Sequence, residues 1–335
     1  MTHRRPTVTV LIPAYQEAEA IAACLDAIDR QTYSGVVETL LVDGGSTDGT
    51  PELAAARPGV TVLSNPRRLQ AAAMNVGLAA AAGQIVVRVD GHCVIAPDYI
   101  ERAVAALADT GAVMVGGAMT AVAIGTIPTG IADAMGSRFG AGPARFHTGG
   151  TGAWVDTVYL GAYWTSQARA VGGYAEDVGV NEDAEFALRL GELGGVWFEP
   201  TIRSTYTPRP SIVAVARQFH RYGRSRARTV RRHPASIRIR QLAPVFLVLA
   251  LLLLPGRRKV ALAYLAMVGT AAAVDGSGGT ATRFVYGVTL PTMHLSWASG
   301  FLMGIAGFAP PQPVVEAPTG STTHDFAGRC LGSTS

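Results

Sequence analysis

The sequence predicts an α/β fold, a doubly wound, mostly parallel sheet followed by membrane-associated helices. Three observations predict it. Short β-branched runs alternate with helical patterns along the first part of the chain, joined by short turn-rich loops. Acidic turns follow two of those runs, at Asp43 and Asp90. The apolar excess of a chain that is 49% hydrophobic collects after residue 242.

In order, Thr7 to Ile12 alternates β-branched and apolar residues up to Pro13, which reads as a buried strand and its stop. Ala18 to Asp29 places Ile21, Leu25 and Ile28 on one helical face. Val37 to Val42 is a second strand, closed by the turn Asp43-Gly44-Gly45-Ser46-Thr47-Asp48-Gly49. A short helix (Pro51 to Arg57), a third strand (Val60 to Leu63) and an Ala-rich helix (Leu69 to Ala82, closed by Gly83) come next. Ile85 to Val89 is a fourth strand running into Asp90-Gly91-His92, and Pro97 to Ala108 and Ala112 to Val115 add a helix and a strand. In such sheets ligands bind beyond the carboxyl ends of the strands, so Asp43 and Asp90 can face one site. Ile124 to Gly173 is Gly-rich and aperiodic and reads as long loops over the sheet. Asp183 to Leu193 is helical, with Phe186, Leu190 and Leu193 on one face, and Ile212 to Arg228 reads as a basic surface helix.

The C-terminal third supports three arrangements. Leu242 to Leu254 and Val260 to Val274 are short for spans of roughly 20 residues. The Arg257-Arg258-Lys259 cluster between them would be stranded outside if the first one crossed, so a re-entrant hairpin stands beside a crossing. Phe284 to Phe308 is long enough to span. A set of core helices is the third possibility. The organisation expected is thus 1–235 for the α/β domain, 236–310 for a membrane-associated helical region and 311–335 for a disordered tail.

The 335 residues carry a formal charge of +4 that hides an asymmetry. No acidic residue lies between Glu199 and Asp275, while the arginines from Arg203 to Arg240 do. That block suits phosphate groups, and its place before apolar segments favours membrane lipid. No nucleic-acid recognition module surrounds it, so nucleic acid is not an expected partner. Cys24, Cys93 and Cys330 are too few and too scattered for a disulfide framework or thiolate metal site. The polar, basic start from Met1 to Pro6 has no apolar region behind it, so no signal peptide is read. Together these place the protein at the cell membrane with the α/β domain on the cytoplasmic side.

Leu11-Ile12-Pro13-Ala14-Tyr15-Gln16-Glu17, Val42-Asp43-Gly44-Gly45-Ser46-Thr47-Asp48-Gly49-Thr50, Asn75-x-Gly77, Arg88-Val89-Asp90-Gly91-His92 and Asn181-Glu182-Asp183 follow in order. Their run over residues 7 to 228 resembles the family 2 glycosyltransferases of the GT-A fold. The Asp-Gly-Gly-Ser and Asp-Gly-His forms, with Val155-Asp156-Thr157 and Tyr206-Thr207-Pro208-Arg209, resemble the exopolysaccharide transferases of the succinoglycan glucosyltransferase type.

The resemblance implies an inverting hexosyltransferase, taking a UDP-sugar as donor and a lipid-linked saccharide as acceptor, with Mn2+ or Mg2+ as cofactor. It implies nucleotide-sugar contacts from Pro13, Tyr15, Glu17, Asp43, Asn75 and Asp90. The residues themselves agree in part. Glu17 and Asp43, each just past a strand, can accept from a base N–H or sugar hydroxyls. They can equally serve a helix start and an Asx turn. Asp90 and His92, two apart at a strand end, can turn toward one cation, which would neutralise a diphosphate leaving group. His92 stands where the family usually has Asp, and Gly44 likewise. Asp183 matches the family's general base, although its position also suits a helix N-cap, and Glu182 and Glu185 are fallbacks. Arg217-Gln218-Phe219-His220-Arg221-Tyr222 resembles the Gln-x-x-Arg-Trp element of processive relatives, so Gln218 and Arg221 are candidates for the donor diphosphate or the acceptor.

Two other readings stay in view: a polyprenyl-phosphate sugar synthase, and an inactive membrane scaffold in which Gly44 and His92 mark lost catalysis. A nicotinamide oxidoreductase is set aside because no Gly-x-Gly-x-x-Gly follows the first strand.

Overall fold

In the computed structural model, which describes residues 5–307 other than 141, 143 and 209, the first strand is β1 (Val8–Ala14), buried along its whole length. Its alternating side chains feed both faces of the sheet. Val8, Val10 and Ile12 enter one core and Leu11 the other. Pro13 does not stop the strand, which continues to Ala14 opposite Asp43. α1 (Ile21–Asp29) lays Ile21, Cys24, Leu25 and Ile28 on the first face. β2 (Val36–Asp43), α2 (Thr50–Ala55), β3 (Val60–Ser64), α3 (Gln70–Ala80) and β4 (Ile85–Arg88) complete a parallel half in the order β3-β2-β1-β4. That half follows the sequence reading closely.

The second half does not. β5 (Cys93–Ile95), α4 (Tyr99–Thr110), β6 (Met114–Ala121), α5 (Thr126–Gly136), α6 (Arg145–Thr148), β7 (Ala153–Val155), β8 (Tyr159–Trp164), α7 (Thr165–Ala170), α8 (Glu182–Gly191) and β9 (Val196–Tyr206) follow. The sheet continues past β4 as β8-β6-β9-β5, with β7 on β9. β8 runs antiparallel to both β4 and β6, and β5 and β7 run antiparallel to β9. The sheet is therefore mixed, which corrects the mostly parallel expectation. The stretch from 124 to 173 is also no run of loops, since it holds β7, the inner strand β8 and three helices. The alternation that betrays a strand is broken in β8 by Leu160 and Gly161, at φ 61° and 67°. β9 hides behind Pro200 and a register shift against β6.

Four longer helices close the described chain: α9 (Ile212–Arg232), α10 (Ala243–Leu253), α11 (Arg257–Val274) and α12 (Thr280–Ile305). Among the described residues no helix is long and apolar enough to cross a membrane. This corrects the crossing expected over 284–308. The reason lies in α12 itself, whose apolar run is diluted by Arg283, Thr289, Thr292, His294, Ser296 and Ser299 and holds Pro291 within it. Tyr286, Leu290 and Met293 are buried in a core shared with Ile131 of α5, Val215 of α9 and Ala271 of α11. The expected tail (311–335), Phe308, Arg209 and Cys330 lie outside the described residues. Cys24 and Cys93 are buried free thiols.

α9 and α12 meet through glycine. A Cβ on Gly300 would lie 2.0 Å from the His220 carbonyl oxygen, and one on Gly223 2.0 Å from that of Trp297. Gly304 faces Ala227 in the same seam. Backbones this close leave no room for a side chain. Gly287, in the same helix, has nothing within 4 Å of its Cβ position. Gly300→Ala is therefore expected to destabilise by about 1–3 kcal/mol through overpacking. Gly287→Ala is expected to stabilise by roughly 0.5–1 kcal/mol through helix propensity. Chemical denaturation of the two variants checks these opposite signs.

Candidate active site

The run Ile85-Val86-Val87-Arg88-Val89 is apolar except for one residue, and that residue organises the site. The Arg88 side chain is only 6% exposed. Its Nε donates to Asp90 Oδ1 at 2.7 Å and its Nη2 to Asp90 Oδ2 at 3.4 Å. Its Nη1 donates to Glu182 Oε1 at 3.3 Å. Burial works against the guanidinium's charge, but Asp90, Glu182 and Asp183 outweigh it and hold the group fully protonated.

Glu182 opens α8, and the chain enters it through Asn181 in a left-handed conformation, φ 67°, whose side chain makes no cap. Glu182, Asp183 and Glu185 put three carboxylates in the first turn, where the helix dipole favours them. Asp183 is thus not the N-cap. It is the second residue of the helix, half-buried, with Oδ1 accepting from the Ala184 N–H at 2.8 Å. Loss of water raises the Asp183 carboxyl above its ordinary value; Arg88 opposes this and the charge of Asp90 adds to it. Glu182 is pushed up to about 7, mainly by burial, with Arg88 again opposing.

Across the mouth, Glu17 Oε1 lies 2.9 Å from His92 Nδ1, and its side chain passes over Gly91. A cavity of about 550 Å³ opens beside it, lined by Gln16, Glu17, Ala18, Glu19, Ala20 and Asp48. Tyr15 is exposed and packs on Gly44, where a Cβ would meet the Tyr15 ring at 3.4 Å. Pro13 is buried in β1 and sets the strand rather than lining the opening. Asp43 shapes its own turn: Oδ2 accepts from the Gly45 and Ser46 N–H groups, and Oδ1 from the Ser46 hydroxyl. The Asx-turn alternative is therefore what the described contacts show, with few lone pairs left over.

Asn75 is committed elsewhere. Its Nδ2 donates to the Tyr174 carbonyl at 2.9 Å and to Glu176 Oε1 at 3.1 Å, while its Oδ1 accepts from the Tyr174 N–H at 2.7 Å. It clamps the loop that leads toward α8. On α9, Gln218 Nε2 donates to the Tyr222 hydroxyl at 2.7 Å, and the Gln218 Oε1 is buried without a hydrogen-bond partner. Arg221, on the same helix, is exposed.

Asp90, His92 and Cys93 each offer a ligand atom, all within 4.8 Å of one another. Such a set fits a divalent cation through its carboxylate and imidazole. Cys93 is the weakest donor, because burial holds its thiol protonated and the Tyr159 hydroxyl lies 2.7 Å from its Sγ. Sequence reasoning did not single out Cys93, or Arg88 as a site residue. The available signal for Arg88 was a charge interrupting a buried β-branched run, which demands partners.

Comparison with known proteins bears on the family and the fold. The family model for glycosyl transferase family 2 matches residues 9–165. The succinoglycan biosynthesis protein ExoA of Rhizobium meliloti is 34% identical over 316 residues, covering 89% of this chain and 95% of that protein. Glycosyltransferase AglE of Haloferax volcanii is 39% identical over 123 residues, 35% of this chain and 40% of that protein. Among solved structures, the mannosyltransferase PcManGT from Pyrobaculum calidifontis, in complex with GDP-Man and Mn2+, superposes with a TM-score of 0.59. It is 23% identical, with 92% of this chain and 89% of that one covered, and so shares the fold.

A carboxylate acting as a base must be ionised. The raised position of Asp183 means that such activity falls as pH drops through a value above the ordinary 3.8 of aspartate. A pH–rate profile is expected to show its acid limb above that value; a limb at or below it removes Asp183 as the base.

Proposed function

The chain belongs to glycosyl transferase family 2, and on that premise we propose that it moves a hexose, glucose first among them, from a UDP-sugar to a lipid-linked saccharide acceptor, with inversion, in exopolysaccharide or cell-envelope glycan synthesis. The observation that carries the reading is the meeting of Asp90 and Asp183. They come from parts of the chain far apart in sequence and both interact with the buried charge of Arg88. A donor-side carboxylate and an acceptor-side carboxylate are what a single displacement needs. The resemblance to the Rhizobium meliloti succinoglycan protein over 89% of the chain supports the exopolysaccharide setting.

Asp183 takes the proton from the acceptor hydroxyl as its oxygen bonds to the anomeric carbon. The bond from that carbon to the donor phosphate breaks, and its electron pair leaves with the nucleoside diphosphate. Attack opposite the leaving group inverts the anomeric centre. Asp90 and His92 would hold a divalent cation, Mn2+ or Mg2+, which neutralises charge on the departing diphosphate when bound. Glu17 orients His92 through its carboxylate. The exposed ring of Tyr15, over Gly44, offers a face for the uracil base.

The acceptor's lipid suggests where the enzyme sits. α10 and α11 present Phe246, Leu249, Leu252, Leu253, Leu262 and Leu265 outward, and Arg257, Arg258 and Lys259 start α11 at their junction. We read this as a face resting in the cytoplasmic leaflet, with the cations at the headgroups and no crossing. Burying each large apolar side chain is worth up to about 1.5–3 kcal/mol. The double variant Leu252→Glu/Leu253→Glu is expected to lose most binding to anionic phospholipid vesicles in flotation while keeping its fold by circular dichroism. Undiminished flotation would rule out this face.

The transfer itself is tested by nucleotide release from a panel of UDP- and GDP-sugars, with lipid extract as acceptor and Mn2+ or Mg2+ present. Release is expected to select a UDP-hexose and to fall by about 10²–10⁴-fold in Asp183→Asn. Equal release by wild type and Asp183→Asn would remove Asp183 as the base, and no release from any donor would favour an inactive scaffold.

A further inference from the structure

Arg88 does more than neutralise its neighbours, because the groups it joins belong to opposite ends of the reaction. Asp90 lies just beyond β4, on the donor side, and Glu182 lies next to Asp183 at the start of α8, on the acceptor side. They are far apart in sequence, Arg88 itself lying 94 positions before Glu182, and no hydrogen bond found among the described residues joins them directly; the guanidinium spans the gap. Two of its nitrogens take both oxygens of Asp90 and the third takes Glu182. We propose that Arg88 is a positioning residue for sugar transfer: its guanidinium fixes the separation between the donor-side carboxylate Asp90 and the helix turn that carries Asp183. This inference rests on the transferase reading above.

The charge pattern favours this role. Asp90, Glu182 and Asp183 surround one guanidinium, so the cluster keeps a net negative charge that suits a divalent cation. Without Arg88, three carboxylates would crowd together in a site with little water, and α8 would move away from the strand end. The sheet would still be held by the apolar side chains packed on its two faces. A catalytic group displaced by about 1 Å can cost on the order of 10²-fold in rate. A planar fork is needed for the task. Lysine brings one ammonium, which cannot take both oxygens of Asp90 and reach Glu182 as well.

The test compares Arg88→Lys, Arg88→Met, Glu182→Gln and the double variant Arg88→Lys/Glu182→Gln with wild type, as full-length protein in detergent, using the donor that wild type accepts. Arg88→Lys is expected to keep the wild-type circular dichroism spectrum and a donor KM within about threefold, while kcat falls by about tenfold or more; Arg88→Met is expected to fall further. Because Arg88 acts on Asp183 through Glu182, the double variant is expected to lose at least about fivefold less than the product of the two single losses. A folded Arg88→Lys with wild-type kcat, or losses that multiply independently, would overturn the proposal. If Arg88→Met fails to fold, the lysine variant and the cycle still decide. Absence of transfer by wild type would instead sink the functional reading on which the proposal stands.

Discussion

A guanidinium taken out of water carries a desolvation cost of several kcal/mol, and Arg88 sits at the end of a strand whose other side chains are all buried. The site is arranged around meeting that cost. Asp90 turns back toward the strand, and α8 brings its first turn, with Glu182, against the same charge. The carboxylates are in turn kept in a dry site because a fixed cation faces them. Their ionisation is therefore a property of the fold: Glu182 and Asp183 are both pushed upward by burial and both pulled back by Arg88. A carboxyl group in that state is neither a surface carboxylate nor an unopposed buried acid.

The C-terminal helices are not bystanders. Glycine contacts bring α12 against α9, and α9 reaches from there to the segment before α8. Ser225 donates to the Val178 and Val180 carbonyls, and Arg228 to that of Val178. Just past the end of α9, His233 Nε2 lies 3.0 Å from Glu185 Oε1, in the first turn of α8. The other end of the same loop is clamped by Asn75 through Tyr174 and Glu176. The acidic helix turn is thus gripped from the sheet by Arg88, from α3 by Asn75 and from α9 by the Ser225–His233 side. The C-terminal helices and the acidic first turn of α8 thus belong to one connected structure.

Much of this was legible beforehand, for identifiable reasons. The strands beginning near Val8, Val36, Val60 and Ile85 show short apolar, β-branched runs bounded by turn residues, and the structure places all four side by side. The turn at Asp43 announced itself by Gly and Ser neighbours. What failed had physical causes too. β8 carries two residues at positive φ, β9 a proline and a register shift, and β5 and β7 have three residues each. None of them shows the periodicity of its conformation. That Asn75 holds a loop almost 100 residues later was equally hidden, because its motif says nothing about that loop. The stretch from 284 read as a span because length and apolarity count residues, not the faces on which they lie.

By itself, then, the sequence determined the parallel half of the sheet, the acidic residues at its carboxyl edge, the helical character of the C-terminal third and the family to which the chain belongs. These follow from local conformational preference and from motifs, both written in neighbouring residues. The tertiary structure decided which strands entered the sheet between β4 and β9, that α12 packs on α9 through glycine, and that Asp43 and Asn75 spend their polar groups on turns and loops. It also decided that one buried arginine would stand between Asp90 and Glu182. Each of these depends on a contact between segments distant in sequence, and only burial, close packing and the cost of an unpaired charge select such contacts.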